Sequence, residues 1–204
     1  MSAKLYIKLV IAFYVITAVP LLVLPVSLFP EFYDVRYMGL QSLGSAAAVL
    51  LIIWWLSRSH VEPDRVHYFP ALVATVLFLD GLGNLGLYQL YKVGFEYDKF
   101  LHFVSPLLMV IGLTHLLSAH FGRTFGRSLT ISVLTVAGFG FGWELFEYTS
   151  DKVLGTRVFG LYGTDIYRDT IRDIIFNTLG ALTGALYISF WHSRNDKSGN
   201  FNSR

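Results

Sequence analysis

Residues 98–119 read DKFLHFVSPLLMVIGLTHLLSA. After Asp98 and Lys99, the next twenty positions hold no Asp, Glu, Lys or Arg. A helix rises 1.5 Å per residue, so about 20 such residues cross the hydrocarbon of a bilayer. The stretch therefore reads as a transmembrane helix with its ionisable groups crowded at one end. Five more runs have similar length and polarity: 9–29, 38–56, 69–91, 127–148 and 169–191. Pro20 and Pro25 are expected to kink the far half of the first run, and Trp54 and Trp55 to mark an interface at the end of the second.

The totals agree. The chain of 204 residues is 54% hydrophobic, with a mean hydropathy of +0.53. Only 15% of residues are charged, against about 25% in soluble domains. The expected fold class is an all-α polytopic membrane bundle of about six transmembrane helices. Residues 1–191 would form a single transmembrane domain, and 192–204 a polar, disordered tail. A net charge of +2 gives no electrostatic footprint for nucleic acid. The absence of cysteine excludes disulfides, thiolate catalysis and cysteine metal sites. Lys4 and Lys8 precede the first apolar run, but no small-residue cleavage site follows, so the run reads as a retained helix.

Six spans put Lys4, Lys8, Arg58, Arg65, Arg123, Arg127, Arg194, Lys197 and Arg204 on one side of the membrane. Arg36, Lys92, Lys99, Lys152, Arg157, Arg168 and Arg172 fall on the other. The small excess on the first side predicts both termini in the cytoplasm. The long connection at 150–168, with Gly155, Gly160, Gly163, Phe159, Tyr162 and Tyr167, reads as a surface loop with aromatic anchors.

An ionisable residue near the centre of a span costs about 2.5–3.5 kcal/mol on insertion scales, so each one calls for a partner or a function. Asp80 and Asn84 share a face of the third helix, with Asp80 near its middle. Asp98, Lys99 and His102 open the fourth. Glu144 and Glu147 close the fifth, where the helix dipole disfavours negative charge. Asp169, Asp173 and Asn177 open the sixth at one-turn intervals, and Gly180 and Gly184 continue their stripe. Helix parity alone places these ends in one leaflet, the outer one if the termini are cytoplasmic. Asp98 and Asp169 could equally act as helix caps. A buried ion-pair network is the structural alternative for the whole set, with Lys99, Arg168 or Arg172 as its cations. Gly138 with Gly142, and Gly180 with Gly184, have the small-xxx-small spacing of close helix packing.

Three segments carry a resemblance: Tyr97-Asp98-Lys99-Phe100-Leu101-His102-Phe103; Gly142-Trp143-Glu144-Leu145-Phe146-Glu147; and Arg168 followed by Asp173-Ile174-Ile175-Phe176-Asn177-Thr178-Leu179-Gly180. With Asp80 to Asn84, they span about residues 78–184. In this order they resemble the YjdF-like family of prokaryotic inner-membrane proteins, within the wider VanZ-like group. VanZ-like sequences often carry glutamine three residues after the glutamate, where this chain has Glu147. VanZ-like proteins are associated with low-level glycopeptide resistance, so the resemblance implies a multi-pass inner-membrane protein working at the cell envelope. It implies no particular reaction.

The residue types themselves suit three functions. The first is metal-assisted chemistry on a membrane lipid or a lipid-linked envelope substrate. A divalent cation (Mg²⁺, Mn²⁺ or Zn²⁺) would be held by Asp98, His102, Glu144 and Asp173, with Glu147 and Glu144 as catalytic carboxylates. Asp80, Asn84, Lys99, Arg168, Asp169 and Asn177 would support them. The second is a proton- or cation-coupled transporter, which needs polar groups through both leaflets; helices one and two offer almost none. The third is a non-catalytic lipid- or envelope-binding protein that works through the 150–168 connection.

Overall fold

The computed structural model describes residues 1–29, 35–59, 67–154 and 165–197. Six α-helices carry the fold: α1 (Ala3–Val23), α2 (Val35–Ser57), α3 (Tyr68–Asn84), α4 (Tyr97–Ala119), α5 (Phe125–Leu154) and α6 (Ile166–Lys197). No strand occurs among the described residues. Five of these helices are long and apolar enough to cross a membrane. The sixth candidate is a bent pair, six spans in all if it is counted as one: α3 is followed by a 3₁₀ segment, Leu87–Val93, bent away from it by 57°. The expected bundle of about six spans holds in this form.

The helix ends have local causes. Ser2 caps α1 by accepting the Leu5 N–H at 3.3 Å. The helix stops at Val23 because Leu24 precedes Pro25 and is extended there (ψ 156°). The first span is therefore shifted from 9–29 toward the N-terminus at the same length: Pro25 ends it rather than kinking it, and Val26–Leu28 forms a separate 3₁₀ turn. Arg36, at the start of α2, donates to the Leu21 and Leu24 carbonyls at 2.8 and 3.0 Å, satisfying acceptors that the end of α1 leaves unpaired. The third span breaks at Gly86, whose φ of 133° only glycine adopts readily. The break puts Asp80 one turn from the end of α3, not at mid-span.

Helices α5 and α6 are longer than expected. Ser150 and Asp151 are buried within α5, and α6 runs six residues past Trp191. The 150–168 connection thus shrinks from both sides. Its core, with Gly155, Phe159, Gly160, Tyr162 and Gly163, lies outside the described residues, as does 198–204. The extension of α5 also removes the dipole argument for Glu144 and Glu147, which sit well before its end. Burial, not the helix dipole, makes their charge costly.

Two halves pack differently. Ile7, Val10, Tyr14, Ala46, Val49 and Ala74 form the apolar seam of α1, α2 and α3. Between α4 and α6 the contact is backbone to backbone. A Cβ on Gly184 would meet the Leu107 carbonyl oxygen at 2.6 Å, and one on Gly180 would overlap that of Phe103. Gly138 and Gly142 have the same spacing but face open space, so close packing explains one glycine pair and not the other. Many large apolar side chains point outward, among them Leu134, Phe139, Leu186 and Phe190, as lipid-facing surfaces require.

Candidate functional site

The starts of α4 and α6 meet around Lys99, which is buried at 2% exposure, and α5 joins them through Glu144 at His102. Its ammonium has three protons to donate, and each finds a carboxylate: Asp98 Oδ2 at 2.9 Å, Asp169 Oδ1 at 2.6 Å and Asp173 Oδ1 at 2.6 Å. Asp169 and Asp173 reach it together because they lie one turn apart on the face of α6 that Gly180 and Gly184 press against α4. Asp98 and Asp169 both lie in the first turns of their helices, where an acid also complements the helix dipole. Asp165 caps α6, accepting the Tyr167 and Arg168 N–H groups at 2.9 and 3.2 Å.

One turn past Asp98, His102 stands between two acidic groups. Its Nε2 is 3.3 Å from Asp98 Oδ1 and 3.6 Å from Asp173 Oδ1. Its Nδ1 faces the other way, 3.1 Å from Glu144 Oε1 and 3.3 Å from Asn177 Oδ1. Asn177 Nδ2 donates to the same Glu144 oxygen at 2.9 Å. Glu144 is only 1% exposed, and the imidazole and the Asn177 amide keep its carboxylate from being stranded. A Cβ on Gly140 would meet the Asn177 amide at 3.5 Å, an ordinary packing distance, so Asn177 lies against α5 without requiring a glycine there.

Asp98, His102 and Asp173 can each turn one ligand atom toward a common point, with those atoms all within 4.8 Å of one another. Two carboxylates and an imidazole form a donor set that suits Mg²⁺, Mn²⁺ or Zn²⁺. Glu144 does not join this group. It meets the opposite nitrogen of His102, the place of a carboxylate that orients a ligating histidine. Glu147, one turn further along α5, is half-buried and lies within electrostatic reach of Glu144, His102 and Asp98.

The remaining expected residues divide. Asp80 and Asn84 belong to a neighbouring network. Asp80 accepts from Gln41 Nε2 at 2.9 Å and from the Tyr88 hydroxyl at 2.7 Å, and Asn84 Nδ2 donates to Gln41 Oε1 at 3.2 Å. Arg168 is exposed and makes none of these contacts. The arginine that closes an ion pair at the rim is Arg172, which grips both oxygens of Glu96 with its guanidinium. Gln41, Tyr88 and Glu96 were not singled out by the sequence reading. Gln41 had a signal, as an amide isolated within an otherwise apolar span; Glu96 had only its position beside Tyr97.

A helical bundle with apolar outer surfaces and a buried acid–lysine–histidine cluster at one end defines a polytopic membrane protein. The family described as a predicted membrane protein (DUF2238) matches residues 10–194, and the chain belongs to it. No curated protein and no solved structure matches.

Proposed function

We propose that this protein is a membrane enzyme that performs metal-assisted chemistry on a lipid head group or a lipid-linked envelope substrate. Asp98, His102 and Asp173 hold a divalent cation in this reading, Glu144 and Asn177 orient the imidazole from behind, and Glu147 acts as the general base. The observation that carries the reading is the convergence of two carboxylates and an imidazole to within 4.8 Å, with a buried glutamate on the far nitrogen of that imidazole. When bound, the cation would lower the pKa of an attacking water. The cluster lies at one end of the bundle, within reach of a head group rather than an acyl chain. Consistent with the YjdF-like and VanZ-like resemblance, we place the protein in a prokaryotic inner membrane, with both termini cytoplasmic and the cluster toward the outer leaflet.

Mn²⁺ titration of the purified protein, followed by electron paramagnetic resonance, tests the reading. Wild type should bind Mn²⁺, and Asp173→Asn should abolish or strongly weaken binding. Glu144→Gln should weaken it by about 10–100-fold, the usual cost of losing a partner behind a ligand. Wild-type protein that binds neither Mn²⁺ nor Zn²⁺ ends the metal reading. It would leave the network as the frame of a non-catalytic lipid- or envelope-binding protein, or of a proton- or cation-coupled transporter.

A further inference from the structure

Resting on the metal reading above, we infer that Lys99 is a built-in counter-cation that competes with the divalent ion for the same carboxylates and sets how tightly it is held. Lys99 uses all three ammonium protons on Asp98, Asp169 and Asp173. Two of those residues belong to the trio whose ligand atoms converge with His102. Asp98 divides its oxygens, Oδ2 to the ammonium and Oδ1 to the imidazole side. Asp173 does not divide in this way: its Oδ1 both accepts from Lys99 at 2.6 Å and faces His102 Nε2 at 3.6 Å. A cation drawing on that oxygen competes with the lysine for the same charge.

The device has a physical purpose. Three aspartates that meet in a buried site without a cation would repel one another and lose their hydration. A fixed ammonium lets the helices pack before any ion arrives. It also raises the threshold for ion binding, because a positive charge a few ångströms away opposes the incoming one. The site is thereby tuned toward divalent ions, whose greater charge outcompetes the ammonium, and away from monovalent ones. Asp169, which Lys99 holds but which lies outside the converging trio, gives the ammonium a place to stay when Asp173 turns to the ion.

Removing the charge tests this. Lys99→Met should bind Mn²⁺ about tenfold more tightly than wild type, or better, because the competing charge is gone, while Lys99→Arg should not tighten. Without divalent ions, Lys99→Met should melt at a lower temperature than wild type and regain more stability than wild type when Mn²⁺ is added. If wild type binds Mn²⁺ and Lys99→Met binds no tighter, the inference fails and the metal reading stands. If neither protein binds Mn²⁺ or Zn²⁺, both fail. Lys99→Met and Lys99→Gln should both be recoverable folded when extracted in Mn²⁺; if neither is, the ion is not replacing the ammonium and the proposal is overturned.

Discussion

The α1–α3 half and the α4–α6 half solve the same problem with different chemistry. Both must hold helices together in a solvent as apolar as their own side chains, where burying a leucine gains little. The first half does so with interlocking apolar residues, a few hydroxyls and the uncharged partners of a single carboxylate, Asp80. Tyr6 shares a hydrogen bond with Thr75 at 3.0 Å, and the Tyr14 hydroxyl donates to the Leu77 carbonyl. The second half brings backbones into direct contact at Gly180 and Gly184, then spans the resulting seam with ion pairs between Lys99 and α6. A contact that close has no tolerance for extra volume, and the buried charges have none for loss of a partner.

The glycine seam gives the sharpest test of that contrast. Gly184→Val should cost more than about 3 kcal/mol and largely prevent recovery of folded protein, because the clash is with the Leu107 backbone and no rotamer relieves it. Gly138→Val, at the same spacing but facing open space, should leave the melting temperature in detergent nearly unchanged. Equal losses in the two variants would mean that α5 is packed where it stands open here.

A smaller effect is expected at a polar network inside the first half. Asp80 ties α2, α3 and the 3₁₀ segment together through Gln41 and Tyr88. Asp80→Leu would leave a half-buried amide and phenol unpaired, at about 1 kcal/mol each, the low end for such groups. Tyr6→Phe, on the apolar side, should cost only about 0.5–1.5 kcal/mol, since Thr75 also donates to the Ala71 carbonyl at 2.9 Å. Comparing the two by thermal unfolding in detergent measures how much more the Asp80 network holds the first half than a single hydroxyl of its apolar seam.

Much of this contrast is legible in the sequence, and the part that is not has a definite cause. The spacing of Asp98 and His102, and of Asp169, Asp173 and Asn177, places each set on one helix face, and helix parity brings those faces to the same end of the bundle. Parity and period say nothing about rotation of a helix about its own axis. That is why Gly138–Gly142 and Gly180–Gly184 look alike in sequence and differ in space, and why Glu144 falls behind His102 rather than beside Asp98. The break at Gly86 was hidden because the residues on both sides are apolar enough to read as one span. Arg172 rather than Arg168 pairs at the rim because Glu96 lies outside the membrane runs, where hydropathy gives a side chain no direction.

The rim pair predicts the weakest effect, and its direction follows from charge. Arg172 hydrogen-bonds both oxygens of Glu96 and holds this carboxyl below its ordinary value of 4.5. A carboxylate with a depressed pKa contributes stability that is complete above the unfolded value and disappears as pH falls through the folded one. Both side chains are more than a third exposed, at 36% and 39%, so solvent screens the pair and its share is small. Wild type should therefore lose slightly more thermal stability than Glu96→Gln as pH is lowered from neutral to below 4.5, and raising the salt should shrink the difference. At neutral pH the variant should keep wild-type Mn²⁺ affinity, because Glu96 touches none of Asp98, His102 and Asp173. If Glu96→Gln instead weakens Mn²⁺ binding as much as Glu144→Gln does, the rim and the buried cluster form one unit, and the division between an exposed pair and an enclosed site does not hold.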